Sequence, residues 1–395
     1  MKFGVIAVGY SRPLAMKRLL TSLLEADYLG DKVDLIVSID KGEKQNEIVT
    51  ISKNINWPYG EKIIRAFDTN LGLRNHIIKC GDLTSDYDAV IVLEDDITVS
   101  RYFYNYAKQA VYRYSDNKKI AGISLYKHLT HPKMLRPFEP SNNGFDTFFM
   151  QYAQSWGQCW TKAMWDGFKN WYINNPEIMV DSKTPAYIVN WNAQSWLKYY
   201  IKYTIEKNMF YVYPYVSLTT NHSDVGEHCN LSNNDFQVPL QEGNILYRFP
   251  NLDEGIKYDA FFERMDIDKE IFCEIEGSKL IDLYGSRSDY SGYEYLISTK
   301  NLPYQIVKKI ELKYRPHEKN CFSPSTGEGI YIYNLSKKDK YNKQSLFSIV
   351  RYDVKAIPPK QLLCCGLNEL IENYKLRINN ILKRFLVINN GGKRK

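Results

Sequence analysis

The sequence predicts an α/β protein: a mostly parallel sheet with helices on both faces, followed by a C-terminal accessory region and a terminal amphipathic helix. Three observations predict it. Short apolar runs suited to buried strands alternate with stretches whose apolar residues recur at helical spacing. Polar residues gather just beyond the carboxyl ends of those runs, where open sheets of this kind bind ligands. The fourth run, Ala89 to Leu93, leads directly into Glu94, Asp95 and Asp96.

Phe3 to Val8 reads as the first strand, and Pro13 to Leu24 as a helix with apolar positions 16, 19, 20, 23 and 24. Ser11 or Arg12 begins that helix, because proline is tolerated in a first turn. Val33 to Ile39 is a second strand ending at Asp40, and a polar loop and short helix follow. Lys62 to Phe67 makes a third strand, and a helix from about Arg74 to Cys80 leads to the fourth. The residues beyond the strand ends are Tyr10, Arg12, Asp40, Asp68, Asn70, Glu94, Asp95 and Asp96. Three adjacent carboxylates repel one another, so the triplet makes sense if a positive group sits beside it. Mg2+ or Mn2+ suits it, as hard ions that take oxygen ligands and bridge carboxylates to phosphates. A solvated acidic turn is the alternative.

The first turn, VGYSRP, has one glycine, so a dinucleotide-binding GxGxxG turn and a GxxxxGK[ST] phosphate loop are both absent. Any pyrophosphate must be neutralised by side chains and metal. Further on, Arg101 to Arg113 reads as a helix, Ile120 to Leu125 and Tyr211 to Leu218 as strands, and a helix starts near Thr161.

In their order, VIAVGYSRP, LIVSID, NLG and VLEDD resemble the nucleotide-sugar half of GT-A fold glycosyltransferases, over roughly residues 1 to 230. The resemblance is to inverting N-acetylglucosaminyltransferases and to bacterial family-2-like transferases that build surface polysaccharides. It implies that Tyr10, Arg12 and Asp40 line the nucleoside pocket, and that Asn70 and Arg74 or His76 lie near the ribose or diphosphate. Asp95 would reach the ribose or sugar, and Asp96, with Glu94 beside it, would hold the metal. Trp156, in a partial match to an aromatic WGWxxW-like segment, would wall off the donor sugar; aromatic core beneath a helix is the other reading of that segment. Asn221 and His228 match a loop that folds over the donor. Asn192 stands where relatives have an acidic general base, and an amide cannot remove a proton at neutral pH. Asp166 or Asp181 would then have to serve, with Asn192 orienting the acceptor.

The implied activity is metal-dependent transfer of a sugar from a nucleotide-diphosphate donor to a hydroxyl of a glycan or lipid-linked glycan. Two other readings stay open: a catalytically inactive glycan-binding or scaffold protein, and a sugar nucleotidyltransferase, although the latter usually opens with a glycine-rich turn.

The chain of 395 residues suggests three parts: residues 1–236 for the donor-binding and catalytic domain, 237–366 for an accessory domain, and 367–395 for a basic tail. Seven scattered cysteines show no pairing pattern, which favours a reducing compartment with neither disulfide nor structural zinc. The N-terminal run lacks a signal-peptide pattern, and no apolar stretch is long enough to span a membrane. A cytoplasmic protein is expected, with no nucleic-acid partner. Of the net charge of +7, a surplus of five lies in the tail: Lys375, Arg377, Lys383, Arg384, Lys393, Arg394 and Lys395 against Glu369 and Glu372. Leu367, Leu370, Ile371, Tyr374, Ile378, Ile381, Leu382 and Phe385 form one apolar face, so the tail reads as an interfacial helix on anionic lipid at the inner membrane face. A helix packed on its own protein or on a second copy, as in a homo-oligomer, is the alternative.

Overall fold

The computed structural model describes residues 1–179, 181–224, 235–265, 267, 270–341 and 346–354. Beyond these it describes 358, 360, 361, 363, 364, 366–368, 370, 371, 374, 375 and 378. Two compact units divide the chain, Met1–Lys343 and Gln344–Lys395.

Strand β1 (Phe3–Gly9) is fully buried and feeds α1 (Pro13–Leu24), with Arg12 at the N-cap and Pro13 in the first turn. β2 (Val33–Ile39), α2 (Gln45–Asn54), β3 (Lys62–Ala66), α3 (Gly72–Gly81) and β4 (Ala89–Glu94) continue the alternation. These four strands are parallel, in the order β3-β2-β1-β4. After β4 come β5 (Ile97–Val99), α4 (Phe103–Tyr114), β6 (Ile120–Ser124), β7 (Thr147–Met150), β8 (Gln158–Thr161) and α5 (Lys162–Asn174). Then follow α6 (Ala186–Val189), α7 (Leu197–Glu206), β9 (Phe210–Pro214), β10 (Thr219–Asn221) and β11 (Lys257–Tyr258).

Among the described residues the main sheet has nine strands, ordered β11-β7-β9-β6-β8-β4-β1-β2-β3. It is mostly parallel, with β8 antiparallel to both of its neighbours and β7 antiparallel to β9. Side chains alternate across it. Val5, Ala7, Leu35, Val37, Ile91 and Leu93 pack with α1 and α4 residues such as Met16, Leu19 and Phe103. Ile6, Val8, Ile36, Val90 and Val92 pack on the other face with Ile77 of α3 and the rings of Trp160, Trp165, Phe168 and Tyr200.

A second sheet is built from β12 (Lys279–Asp282), β13 (Tyr295–Ser298), β14 (Tyr304–Glu311) and β15 (Gly329–Lys338), in the order β12-β13-β15-β14. A short helix, α8 (Lys319–Phe322), lies between β14 and β15 in sequence. The boundary expected at 236/237 does not separate two bodies. β11 pairs with Phe149–Met150 of the main sheet, and the buried Arg136 donates to the Leu283 carbonyl at 2.7 Å and to Thr299 Oγ1 at 3.0 Å. The second compact unit includes α9 (Leu346–Asp353). Among the described residues, no helix is long and apolar enough to cross a membrane.

Candidate donor-binding site at the β1/β4 crevice

From β1 the chain winds outward to β2 and β3 on one side, and β4 lies on the other. A reversal of this kind opens a crevice beyond the carboxyl ends of the two central strands. Arg12 follows β1 and Glu94–Asp96 end β4, so both sequence signals converge there. The Arg12 guanidinium donates through Nη2 to Asp95 Oδ1 and through Nη1 to Asp96 Oδ2 at 3.3 Å. The positive group expected beside the triplet is therefore supplied by the chain itself.

Glu94 and Asp95 fall on different sides of the sheet. Glu94 pairs with Val8, Val8 with Ser38, and Ser38 with Arg65, a row across four strands on the α3 face. Asp95 instead lies toward α1, with Oδ2 4.0 Å from where a Cβ on Gly9 would stand. Burial and the neighbouring Asp96 push the Glu94 carboxyl up to about 8. Burial raises Asp95 to about 6 against the opposing pull of Arg12. Burial works against the Arg12 charge, but Asp95 and Asp96 outweigh it and raise its pKa.

Asp96 Oδ1 is buried and has no hydrogen-bond partner among the described residues. An orphaned carboxylate oxygen next to two further carboxylates offers hard oxygen donors, and these fit Mg2+ or Mn2+. Among the described residues, no three His, Cys, Asp or Glu side chains form a group able to hold an ion by themselves. A cation here would need oxygens from a ligand and from water, the usual condition of Mg2+ bound with phosphates.

The other strand-end residues shape the rim. Buried Asp40 accepts from the backbone N–H of Leu71 at 2.8 Å and of Gly72 at 3.0 Å, so it ties the end of β2 to the start of α3. Asn70 Nδ2 donates to the Lys41 carbonyl at 2.8 Å across the same gap. The Tyr10 ring lies against Gly42, where any Cβ would come within 2.8 Å of it. Arg74 donates to the Tyr199 hydroxyl at 3.0 Å, and its Nε is buried without a partner among the described residues. His76 points beneath the sheet, 3% exposed, with Nε2 2.8 Å from Ser38 Oγ.

On the opposite rim, β10 pairs with β5, placing Asn221 beside Ile97. His222 N–H then donates to the Asp96 carbonyl at 2.9 Å, and its Nε2 lies 2.8 Å from Thr98 Oγ1. Asp224 forms an ion pair with Arg18 of α1. Trp156 is half-buried between Tyr126 and Phe236, at ring distances of 4.8 and 4.6 Å, and its carbonyl accepts from Thr219 Oγ1 at 2.6 Å. Trp160 and Trp165 are instead core, so the reading of aromatic core beneath a helix holds for those two rings. His228 lies outside the described residues.

Of the candidate bases, Asp166 stands elsewhere. β8 runs antiparallel to β4 with Thr161 beside Ala89, so α5 starts at the edge of the sheet opposite the acidic triplet. Asp166 is a half-exposed residue of that helix, paired with Lys162 at 2.6 Å. This register sets Asp166, one of the two acidic candidates for the base, apart from Trp156, because β8 between them runs away from the triplet. Asp181 is paired with the buried Lys202; burial raises its pKa, but the Lys202 bond outweighs that and leaves it lowered. Asn192 is exposed and accepts from the Gln194 N–H at 2.8 Å. Gln194 Oε1 lies only 3.0 Å from where a Cβ on Gly72 would stand, so this turn borders the start of α3.

Arg18 was not singled out in the sequence. Nothing in a single amphipathic helix indicates that one half-buried basic residue meets an aspartate some two hundred positions later.

No family model and no curated protein sequence matches the chain. Among solved structures, a mannosyltransferase from Pyrobaculum calidifontis in complex with GDP-Man and Mn2+ aligns over 43% of this chain and 46% of its own, at 10% identity and a TM-score of 0.31. S. aureus TarS aligns over 54% of this chain and 36% of its own, at 14% identity and a TM-score of 0.33. Residues 1–349 of TarS in complex with UDP-GlcNAc align over 58% and 60%, at 15% identity and a TM-score of 0.31. The chain thus spans less than two thirds of each of these proteins.

Proposed function

We propose that the protein is a glycosyltransferase that moves a sugar from a nucleoside-diphosphate sugar to a hydroxyl of a glycan or lipid-linked glycan, as in surface polysaccharide synthesis. One observation carries the reading: Arg12, Asp95 and Asp96 meet at the crevice between β1 and β4, with Asp96 Oδ1 buried and unpartnered among the described residues. The ordered sequence motifs that lead to this point resemble the nucleotide-sugar half of GT-A transferases. In this reading Arg12 binds the diphosphate, Asp40 holds the Leu71–Gly72 turn that shapes the nucleoside pocket, and Trp156 borders the sugar. Mg2+ or Mn2+ held by Asp96 with Glu94 would neutralise charge on the leaving diphosphate. The acceptor oxygen attacks the anomeric carbon, the bond from that carbon to the phosphate oxygen breaks, and the acceptor proton passes to a base. A single displacement of this kind inverts the configuration.

A second reading, a glycan-binding protein without turnover, is favoured by one observation: Asp166 and Asp181 are each engaged by a lysine, and Asn192 is an amide. Release of nucleoside diphosphate from a panel of UDP-, GDP-, ADP- and dTDP-sugars with Mn2+ or Mg2+ separates the two. Turnover with at least one donor is expected, falling about 100-fold or more in Asp96→Asn, the scale for losing one preorganised electrostatic contact. Asp166→Asn keeps the wild-type rate, because its carboxylate lies away from the crevice. Donor binding without release by any member of the panel would favour the second reading. We also propose that the basic tail holds the protein at an anionic membrane surface.

A further inference from the structure

We propose that Arg12 is an internal competitor of the divalent cation, released from Asp95 and Asp96 when a nucleoside diphosphate arrives. Arg12 thereby makes cation binding depend on the nucleotide. The guanidinium takes one oxygen from each of two adjacent carboxylates, Asp95 Oδ1 and Asp96 Oδ2, and leaves Asp96 Oδ1 buried with no partner among the described residues. The cluster is sheltered: the side chains of Arg12, Asp95 and Asp96 are 23%, 5% and 15% exposed. Solvent therefore screens little of the repulsion between a guanidinium and an incoming dication. A cation approaching alone meets carboxylates whose charge is already partly cancelled.

An arginine can leave such a cluster only for an equally good acceptor. A diphosphate is one, since its oxygens match the planar fork in pairs. Transfer of the guanidinium to the diphosphate conserves its charge-assisted bonds, frees Asp96 Oδ2 for the cation and restores the uncancelled charge of Asp95 beside it. The anchoring of Arg12 favours a local swing, because its backbone is fixed at the N-cap of α1 with Pro13 next in the chain. Linkage requires reciprocity, so the cation must tighten the nucleotide by the same factor that the nucleotide tightens the cation. Any nucleotide that chelates the metal gives some coupling; the part contributed by Arg12 is the part that its replacement removes.

The inference rests on the proposed function for the identity of the anion, whereas the competition with the cation can be read without it. The test is the affinity for Mn2+ alone, followed by the paramagnetic signal of free Mn2+ at pH 7.5 and repeated with saturating UDP or GDP. Wild-type protein is expected to bind Mn2+ weakly until the nucleotide is added. Arg12→Gln binds Mn2+ alone about tenfold more tightly, and its coupling to the nucleotide shrinks by a similar factor. Arg12→Lys, a point charge that cannot span both carboxylates, falls between the two and carries the test if the glutamine variant does not fold. Asp96→Asn in the Arg12→Gln background removes the gain, which assigns it to this site. Unchanged or weaker binding of Mn2+ alone by folded Arg12 variants overturns the proposal. A gain in Arg12→Gln with no tightening by either nucleotide in the wild type keeps the competition and overturns the diphosphate as its trigger, and with it that part of the functional reading.

Discussion

His76 and Glu94 stand on the same face of the main sheet, and burial drives each toward neutrality from opposite directions. His76, bonded to Ser38, has its pKa lowered to about 4 first by burial, with Asp40 pulling it up and Arg65 down. In the unfolded chain the imidazole protonates near 6.5, so between 6.5 and 4 the unfolded state binds the extra proton and stability falls as pH falls. Glu94 works the other way. Folded, it keeps its proton up to about 8, whereas unfolded it releases it near 4.5, so stability falls as pH rises across that window. Urea midpoints at pH 4.5, 6.5 and 8 should therefore show His76→Gln losing less stability than wild type on acidification, by up to about 1.4 kcal/mol per pH unit. Glu94→Gln should gain on wild type between 6.5 and 8. Parallel pH profiles for wild type and both variants would mean that neither group is held neutral. His76 also shows the limit of sequence reading at this scale. LGLRNH offered Arg74 or His76 for the diphosphate or ribose, and only the register of α3 against β2 decides which way each helical side chain turns. The places of Arg12, Asp40 and Asp96 just beyond the strands were legible, because a strand end fixes its own position.

At the scale of elements, the helices and strands up to β4 were legible because each carries its own apolar period, and their bounds fall within a residue or two of those expected. The antiparallel strands β7 and β8 and the three-residue pair β5 and β10 were not, since they exist only through partners far away in the chain. That same distant pairing builds the rim at Asn221 and His222. The aromatic layer under α5 and α7 fixes how α3 ends. Gly81 closes α3 against Trp165, and a Cβ there would come within 2.3 Å of the indole. Trp165 cannot retreat easily, because Trp160 and Phe168 pack against it at ring distances of 4.8 and 5.3 Å and its Nε1 donates to Asp82 at 2.9 Å. Gly81→Ala should thus cost roughly 1–3 kcal/mol, the range for overpacking a filled interior, despite the better helix propensity of alanine. Chemical denaturation measures it. A stabilised variant would show that the indole layer yields.

The whole molecule separates a sheet-based unit, Met1–Lys343, from the C-terminal unit that contains the basic tail. The inclusion of β11 in the main sheet was not readable from sequence, because two residues carry no period. In the described part of the tail, Leu367, Leu370, Ile371, Tyr374 and Ile378 are each more than half exposed, while residues 379–395 lie outside the described residues. Apolar residues on one face and a surplus of five positive charges in one segment are the two requirements of an interfacial anchor. Each basic residue close to an anionic surface contributes about 1 kcal/mol, and the attraction weakens as salt shortens the screening length. The full chain should therefore sediment with vesicles rich in phosphatidylglycerol, less so at high salt, and scarcely with phosphatidylcholine. Deleting residues 367–395 removes the charge and the apolar face together without entering the unit that holds the candidate site. Loss of sedimentation with an unchanged unfolding midpoint assigns the tail to the membrane. Undiminished sedimentation, or a change from oligomer to monomer on deletion, assigns it instead to contacts with protein.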